Sequence, residues 1–321
     1  MVQAFQRVQS EVEGPALPKN RRLESLHHKS RPAFTRPACR HTLCDMKVVR
    51  TISEARAMRS GRERLALVPT MGALHAGHLS LIAIAKKQAP SVAVSIFVNP
   101  TQFGPREDFT KYPRPVEQDL AKCEQAGVDW VFLPEASEMY KPGLAEVMLD
   151  MPQLAGVLEG AKRPGHFRGV CQVVAKLFNI IHPDVAVFGQ KDYQQLRIIT
   201  AMVEALDWPV QIVSGPTVRE PDGLAMSSRN QYLSETERQK ALSISRALFL
   251  AKGEFTQGVR QANRLVTSMQ HVLLEQHLLI DYIAAVDPIT LKPVDTVNGP
   301  TVLAVAARVG NTRLIDNVVI G

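Results

Sequence analysis

The 321-residue chain has no apolar run approaching the roughly 18 residues of a membrane-spanning helix. Its first residues lack the apolar stretch of roughly 7–15 residues that marks a secretory signal. Cysteine is scarce: Cys39, Cys44, Cys123 and Cys171 form no CxxC pair and have no histidine at zinc-ligand spacing. That excludes a disulfide framework as the basis of the fold and points to a reducing, cytoplasmic compartment. Cys171, inside an apolar run, reads as a small core residue. There is no internal repeat, and no low-complexity tract beyond the first 45 residues.

The composition is that of an ordinary globular protein, 45% hydrophobic and 21% charged, so a full core needs no staples. The formal charge of +7 is unevenly placed. Residues 1–45 carry eight Lys/Arg against four Asp/Glu, leaving only +3 on the other 276 residues. A near-neutral body gives no footing for a nucleic-acid partner. Residues 1–45, rich in Arg, Pro, Ser and His, are expected to be a disordered extension. Met46 is the expected natural start, although an organelle-targeting peptide is also compatible with this composition.

From Met46 the pattern becomes orderly. KVVRTISEARAMR reads as a short strand and a helix capped at Ser53. Strands are expected at LALVPT, Ser91–Pro100, DWVFLP, DVAVFG and PVQIVSGPTV. Helices are expected at HLSLIAIAKKQA, Val116–Gln125, Val170–His182 and YQQLRIITAMVEAL. Residues 101–114 form a polar loop long enough to suspect function. This alternation predicts an α/β domain over 46–217, a Rossmann-like parallel sheet with ligands beyond the carboxyl ends of its strands. Residues 218–321 read as a smaller α+β C-terminal domain packed over its mouth, with helices at TERQKALSISRALFLAKGE and Val259–Gln276 and three short strands.

Three constellations carry chemistry. The first is Met71-Gly72-Ala73-Leu74-His75-Ala76-Gly77-His78, an HxGH pattern where a strand turns into a helix. A helix N-terminus offers free N–H groups and partial positive charge to a phosphate. His75 and His78 can hydrogen-bond a triphosphate, and Gly77 would let an adenine or ribose approach the backbone. The second is Gly189-Gln190-Lys191-Asp192, followed by Gln194 and Gln195: Lys191 would neutralise phosphate charge, while Asp192 could cap the helix or hold ribose or Mg²⁺. The third is Gly223-Leu224-Ala225-Met226-Ser227-Ser228-Arg229-Asn230, a loop expected to be mobile and able to wrap a leaving pyrophosphate. Asn99, Gln102, His166 and Arg168 are further polar candidates.

Taken together, LVPTMGALHAGH, SIFVNPTQF, YPR, LEGAKRPGHFRGV, FGQKDYQQL, GLAMSSRNQYL and the terminal RLIDN resemble the pantoate–β-alanine ligase (pantothenate synthetase) family of the nucleotidylyltransferase superfamily. They run in family order from Met46 to the end. The resemblance implies adenylation of pantoate by ATP with Mg²⁺, then attack by β-alanine, in a homodimer whose C-terminal domain is a lid. It implies that Met71 to His78, Gly189 to Asp192, Val218 and Met226 to Arg229 contact ATP. His78, His75 and Lys191 would be catalytic, Gln102 and Gln195 would bind pantoate, and Gln102 would also lie near β-alanine. A nucleotidylyltransferase with a different acceptor would share HAGH and the serine loop but would not require VNPTQF or the YQQ glutamines.

Overall fold

The computed structural model describes residues 46–321, apart from 60–62, 106 and 146; the expectations for residues 1–45 lie outside the described residues. Six strands form one parallel sheet: β1 (Lys47–Val49), β2 (Leu65–Thr70), β3 (Ser91–Ile96), β4 (Trp130–Phe132), β5 (Val185–Gly189) and β6 (Gln211–Gly215). Their order is β1-β4-β3-β2-β5-β6. The helices Ala76–Gln88, Val116–Gln125 and Tyr193–Ala205 cross over between parallel neighbours, while Ile52–Met58 and His166–Ile181 lie in the longer connections from β1 to β2 and from β4 to β5. Both faces of the central strands are covered, which is why they read as unbroken apolar runs. Leu65, Leu67, Trp130, Phe132 and Phe188 belong to one apolar cluster, while Ala66, Val68, Val131 and Val187 belong to the other. Alternate residues of a strand point to opposite faces, so each run feeds two cores.

Several boundaries differ from expectation: the strand expected at Ser91–Pro100 ends at Ile96, and the helix expected at Val259–Gln276 spans Ala262–Glu275. Two of the differences have a clear local reason. The first helix is capped by Thr51, whose side chain accepts from Glu54 N–H while Glu54 reaches back to the cap. Ser53 is an equally good cap by type, but only Thr51 stands three residues before a glutamate. The helix expected from Val170 begins a turn earlier, at His166, because Gly165 (φ +85°) turns the chain into it. Its first turn carries a single large apolar residue, Phe167, too few to establish an apolar period.

The C-terminal part holds the helices Glu235–Thr256 and Ala262–Glu275 and the antiparallel sheet β7 (Leu279–Val286), β8 (Thr301–Val309) and β9 (Thr312–Ile320). Strand β8 is buried on both faces. Leu303, Val305, Ala307 and Val309 pack with the two helices, whereas Val302 and Ala304 join the cluster of Trp130 and Phe132. Among the described residues no helix is long and apolar enough to cross a membrane.

Candidate active site

From β2 the chain passes to β3 on one side, and β5 pairs on the other, so the order reverses at β2. A crevice opens at such a switch point beyond the carboxyl ends of the strands. The turn Met71–His78 leaves β2 and the turn Gln190–Asp192 leaves β5, so the first two constellations flank it.

His75 is the N-cap of the helix Ala76–Gln88, and its Nδ1 accepts from Gly77 N–H at 3.1 Å. Nδ1 of His78 accepts from His75 N–H at 3.3 Å. The two rings stand 4.1 Å apart between centroids. With both Nδ1 atoms accepting, the proton of each neutral ring sits on Nε2. Burial lowers the pKa of His78 to about 3, aided by the neighbouring His75. Burial and then the Lys191 charge lower that of His75 to about 4. Both are therefore neutral donors at pH 7, and the positive charge expected to meet phosphate resides on Lys191 and the helix terminus.

Gly77 has a role other than admitting a nucleotide. A Cβ there would meet His75 Cε1 at 2.8 Å and Nδ1 at 2.9 Å. The position is glycine so that the His75 ring can fold back as the cap. The preceding turn is held by Asp119, 1% exposed, which accepts from Ala73 N–H and Leu74 N–H at 2.7 Å each. Lys122 donates to Leu74 C=O at 2.6 Å. Two adjacent residues with positive φ, Gly72 (+84°) and Ala73 (+50°), make the turn.

After β3, Asn99 is 1% exposed and fully committed: it donates to Gly169 C=O and Gln102 Oε1, and its oxygen accepts from Thr101 and Tyr140. Gln102 donates to Met71 Sδ at 3.0 Å. A thioether is a weak acceptor, so this bond is easily exchanged for a better one. His166 Nδ1–H donates to Gln102 C=O at 2.8 Å, and Arg163 donates to His166 Nε2 at 3.0 Å. Burial, with the Arg163 charge, brings the His166 pKa down to about 4. Arg163 forms a two-pronged pair with Glu107 at 2.6 and 2.7 Å. Burial pushes the Glu107 carboxyl up, but the bonds from Arg163 outweigh that and hold it below its usual range.

On the opposite wall, Lys191 Nζ lies 3.7 Å from Asp192. The loop expected to be mobile is a braced hairpin: Met226 N–H donates to Val218 C=O, Arg219 pairs with Ala225, and Gly223 (φ +95°) makes the tip. Ser227 caps the following turn by accepting from Arg229 N–H. Arg229 grips Asp108 with two bonds at 3.0 and 3.1 Å, and Ser228 lies 3.3 Å from Tyr112 OH. The loop 101–114 is thus the far rim of the same site.

These walls enclose a cleft of about 1410 Å³, counting its open mouth. It is lined by Met71, His75, Gly77 and His78, by Gln102, Gly189, Lys191, Asp192 and Gln195, and by Val218 and Met226 to Arg229. Not every expected residue reaches its wall. Gly72, Ala73, Leu74 and Ala76 build the turn that carries the histidines, and Leu74 is 2% exposed in the core. Gln190 is off the cleft, and Gln194 is a buried tie to the carbonyls of Leu154 and Val157. Arg168 lies outside, near Met148, and it is Arg163 that lines the cleft. Sequence reading missed Arg163 and Asp119. A signal was present for Arg163, three residues before His166, whereas nothing near Asp119 in the sequence points to its partners at Ala73 and Leu74.

The family model for Pantoate-beta-alanine ligase matches residues 45–319. The chain belongs to the pantoate–β-alanine ligase family. It is 53% identical over 262 residues to a pantothenate synthetase of Acidobacterium capsulatum, covering 81% of this chain and 87% of that one. The pantothenate synthetase of Thermotoga petrophila is 48% identical over 281 residues, 86% of this chain and 100% of its own. Among solved structures, a pantothenate synthetase from Thermus thermophilus superposes with a TM-score of 0.82 at 45% identity, covering 85% of this chain and 99% of that chain. A pantoate–β-alanine ligase from Francisella tularensis, solved with beta-gamma ATP and beta-alanine, gives a TM-score of 0.70 at 33% identity over 85% of this chain and 97% of its own. The family match runs from before β1 into β9 and so takes in both sheets.

Proposed function

We propose that this chain condenses pantoate with β-alanine at the expense of ATP, releasing AMP and pyrophosphate. The observation that carries the reading is one cleft at the β2/β5 switch point. It gathers two neutral imidazole donors, one lysine, a serine pair and two glutamines. In the first step a pantoate carboxylate oxygen bonds to the α-phosphorus of ATP and the bond to the bridging oxygen breaks, so pyrophosphate leaves. In the second, the β-alanine amine attacks the acyl carbon, loses a proton, and AMP departs as the acyl–oxygen bond breaks. No protein nucleophile is needed.

The protein's part is positioning and charge stabilisation. Nε2–H of His75 and His78 donates to phosphate oxygens at the helix N-terminus. Lys191 offsets triphosphate charge, Ser227 and Ser228 hold the leaving pyrophosphate, and Gln102 and Gln195 orient pantoate, with Gln102 also near β-alanine. Among the described residues no group of three or more His, Cys, Asp or Glu side chains could hold a metal. Among the described residues Asp192 is the one carboxylate lining the cleft. That donor set suits Mg²⁺ brought in on the triphosphate, with Asp192 beside it; when bound it would neutralise phosphate charge. The same reading includes a division near residue 217 with 218–321 as a lid, a homodimer, and work in the cytoplasm. The separate apolar cluster of the C-terminal helices and sheet supports the division.

The test is to supply ATP, Mg²⁺ and pantoate with and without β-alanine and to follow AMP and pyrophosphate. Catalytic AMP formation only with both acceptors present is expected, and His78→Ala should abolish pyrophosphate release while leaving the melting curve in place. Pyrophosphate release indifferent to pantoate would shift the assignment to another acceptor.

A further inference from the structure

The terminal motif RLIDN lies on β9 and contributes nothing to the lining of the large cleft. Yet two of its residues are buried polar groups, Asp316 at 3% and Asn317 at 6% exposure. Neighbouring side chains on a strand point to opposite faces, and these two reach different loops of the site. Asp316 takes both prongs of Arg219, at 2.6 and 3.0 Å, on the hairpin whose base is Val218 and Met226. Asn317 gives both hydrogens of its amide to the turn after β5: to Gln190 C=O at 3.0 Å and Lys191 C=O at 2.7 Å.

We infer that Asp316 and Asn317 are positioning residues for adenylation, setting the Lys191 turn and the Val218–Met226 hairpin in register from one point on β9. The inference rests on the proposed function, in which Lys191 meets the triphosphate. The physical ground is that a lysine side chain is a flexible stem whose charge is only as well placed as its backbone. An amide donating twice to the carbonyls on either side of the Lys191 nitrogen fixes that backbone. A carboxylate held by a two-pronged arginine fixes the neighbouring hairpin with comparable directionality. Both anchors sit on adjacent residues of one strand, so the spacing of the Lys191 turn and the hairpin is set by a single rigid element.

The experiment separates the two half-reactions. One assay follows a single turnover of pyrophosphate release from ATP and pantoate; the other follows pantothenate formation from supplied pantoyl adenylate and β-alanine. Asn317→Ala should slow adenylation by about tenfold, the scale of one lost directional contact. The second half-reaction should stay within about twofold, and adding Asn317→Ala to Lys191→Ala should produce no further loss. Asn317→Asp, the same shape with no N–H to give, should behave as Asn317→Ala does. If Asn317→Ala does not fold, Asn317→Ser, which keeps one donor, carries the comparison. Equal slowing of both half-reactions, or the same factor with and without Lys191, would overturn the inference while leaving the function intact. Normal adenylation by Lys191→Ala would overturn both the role given to Lys191 and this inference.

Discussion

Each imidazole of the HxGH pair commits its Nδ1 lone pair to a backbone N–H, while His166 commits Nδ1–H to a carbonyl. Nitrogen-15 spectra at pH 6 should therefore show His75 and His78 as neutral Nε2–H tautomers and His166 as the neutral Nδ1–H tautomer. A charged ring among the three at that pH would sink the assignment. All three folded pKa values, about 4, 3 and 4, lie below the unfolded value near 6.5. Between those values the unfolded chain binds more protons than the folded one. Their contribution to stability is thus fully present above about pH 6.5 and is lost as pH falls, by up to about 1.4 kcal/mol per pH unit for each ring. Urea midpoints measured from pH 7 to pH 4 check the sign. At Gly77 two effects oppose each other. Gly77→Ala gains up to about 1 kcal/mol of helix propensity but displaces the His75 cap, at a cost of about the same size. The expected outcome is a nearly unchanged melting temperature with adenylation down by an order of magnitude or more; full activity would show that the His75 ring is not needed where the structure puts it.

At the scale of elements, the turn Met71–Leu74 has no regular hydrogen bonds of its own and borrows them from Asp119 on a different helix. Asp119→Ala would leave two N–H groups without their acceptor, and the loss should be about 2–5 kcal/mol in urea unfolding. Asp119→Asn, which keeps one good acceptor oxygen, should recover part of it; a loss under about 0.5 kcal/mol in Asp119→Ala would mean that the turn holds itself. This element also shows what the sequence discloses. Strands β2, β3 and β5 were legible because burial on both faces demands unbroken apolar runs, and the HxGH turn because a strand-to-helix junction has its own residue chemistry. Asp119 was not, since its partners stand 45 and 46 residues away and no local period encodes that distance. The same holds for Asn317, whose acceptors are 126 and 127 residues distant. The segment 223–230 read as a mobile loop because Asp316, which braces the hairpin it continues from, comes from the last strand.

Across the whole molecule, the two sheets are joined by apolar contact through Val302 and Ala304, by the Asn317 bonds to the turn after β5, and by one ionic knot. Arg313 on β9 holds Glu159 with two bonds at 2.6 and 2.8 Å and Asp281 on β7 with one at 2.6 Å. Glu159 is only 6% exposed and belongs to the short helix Leu158–Lys162 beside the parallel-sheet core. Arg313→Met would strand that carboxylate without its counter-charge, an imbalance worth about 3–5 kcal/mol. Adding Glu159→Gln removes the stranded charge and should restore much of the loss, because the penalty lies in the unpaired ion more than in the absent pair. The two tryptophans, Trp130 and Trp208, both lie in the parallel-sheet half. Their fluorescence follows that half alone, whereas far-UV circular dichroism follows the helices of both. In the parent chain the two signals should change together as urea rises, since β8 contributes to both cores. In Arg313→Met the dichroism should begin to fall before the fluorescence, as the C-terminal sheet loosens first. Coincident curves in the variant would mean that the apolar contacts and the Asn317 bonds suffice to hold the halves together, and an unshifted midpoint would show that the ionic knot is not needed to join the two sheets.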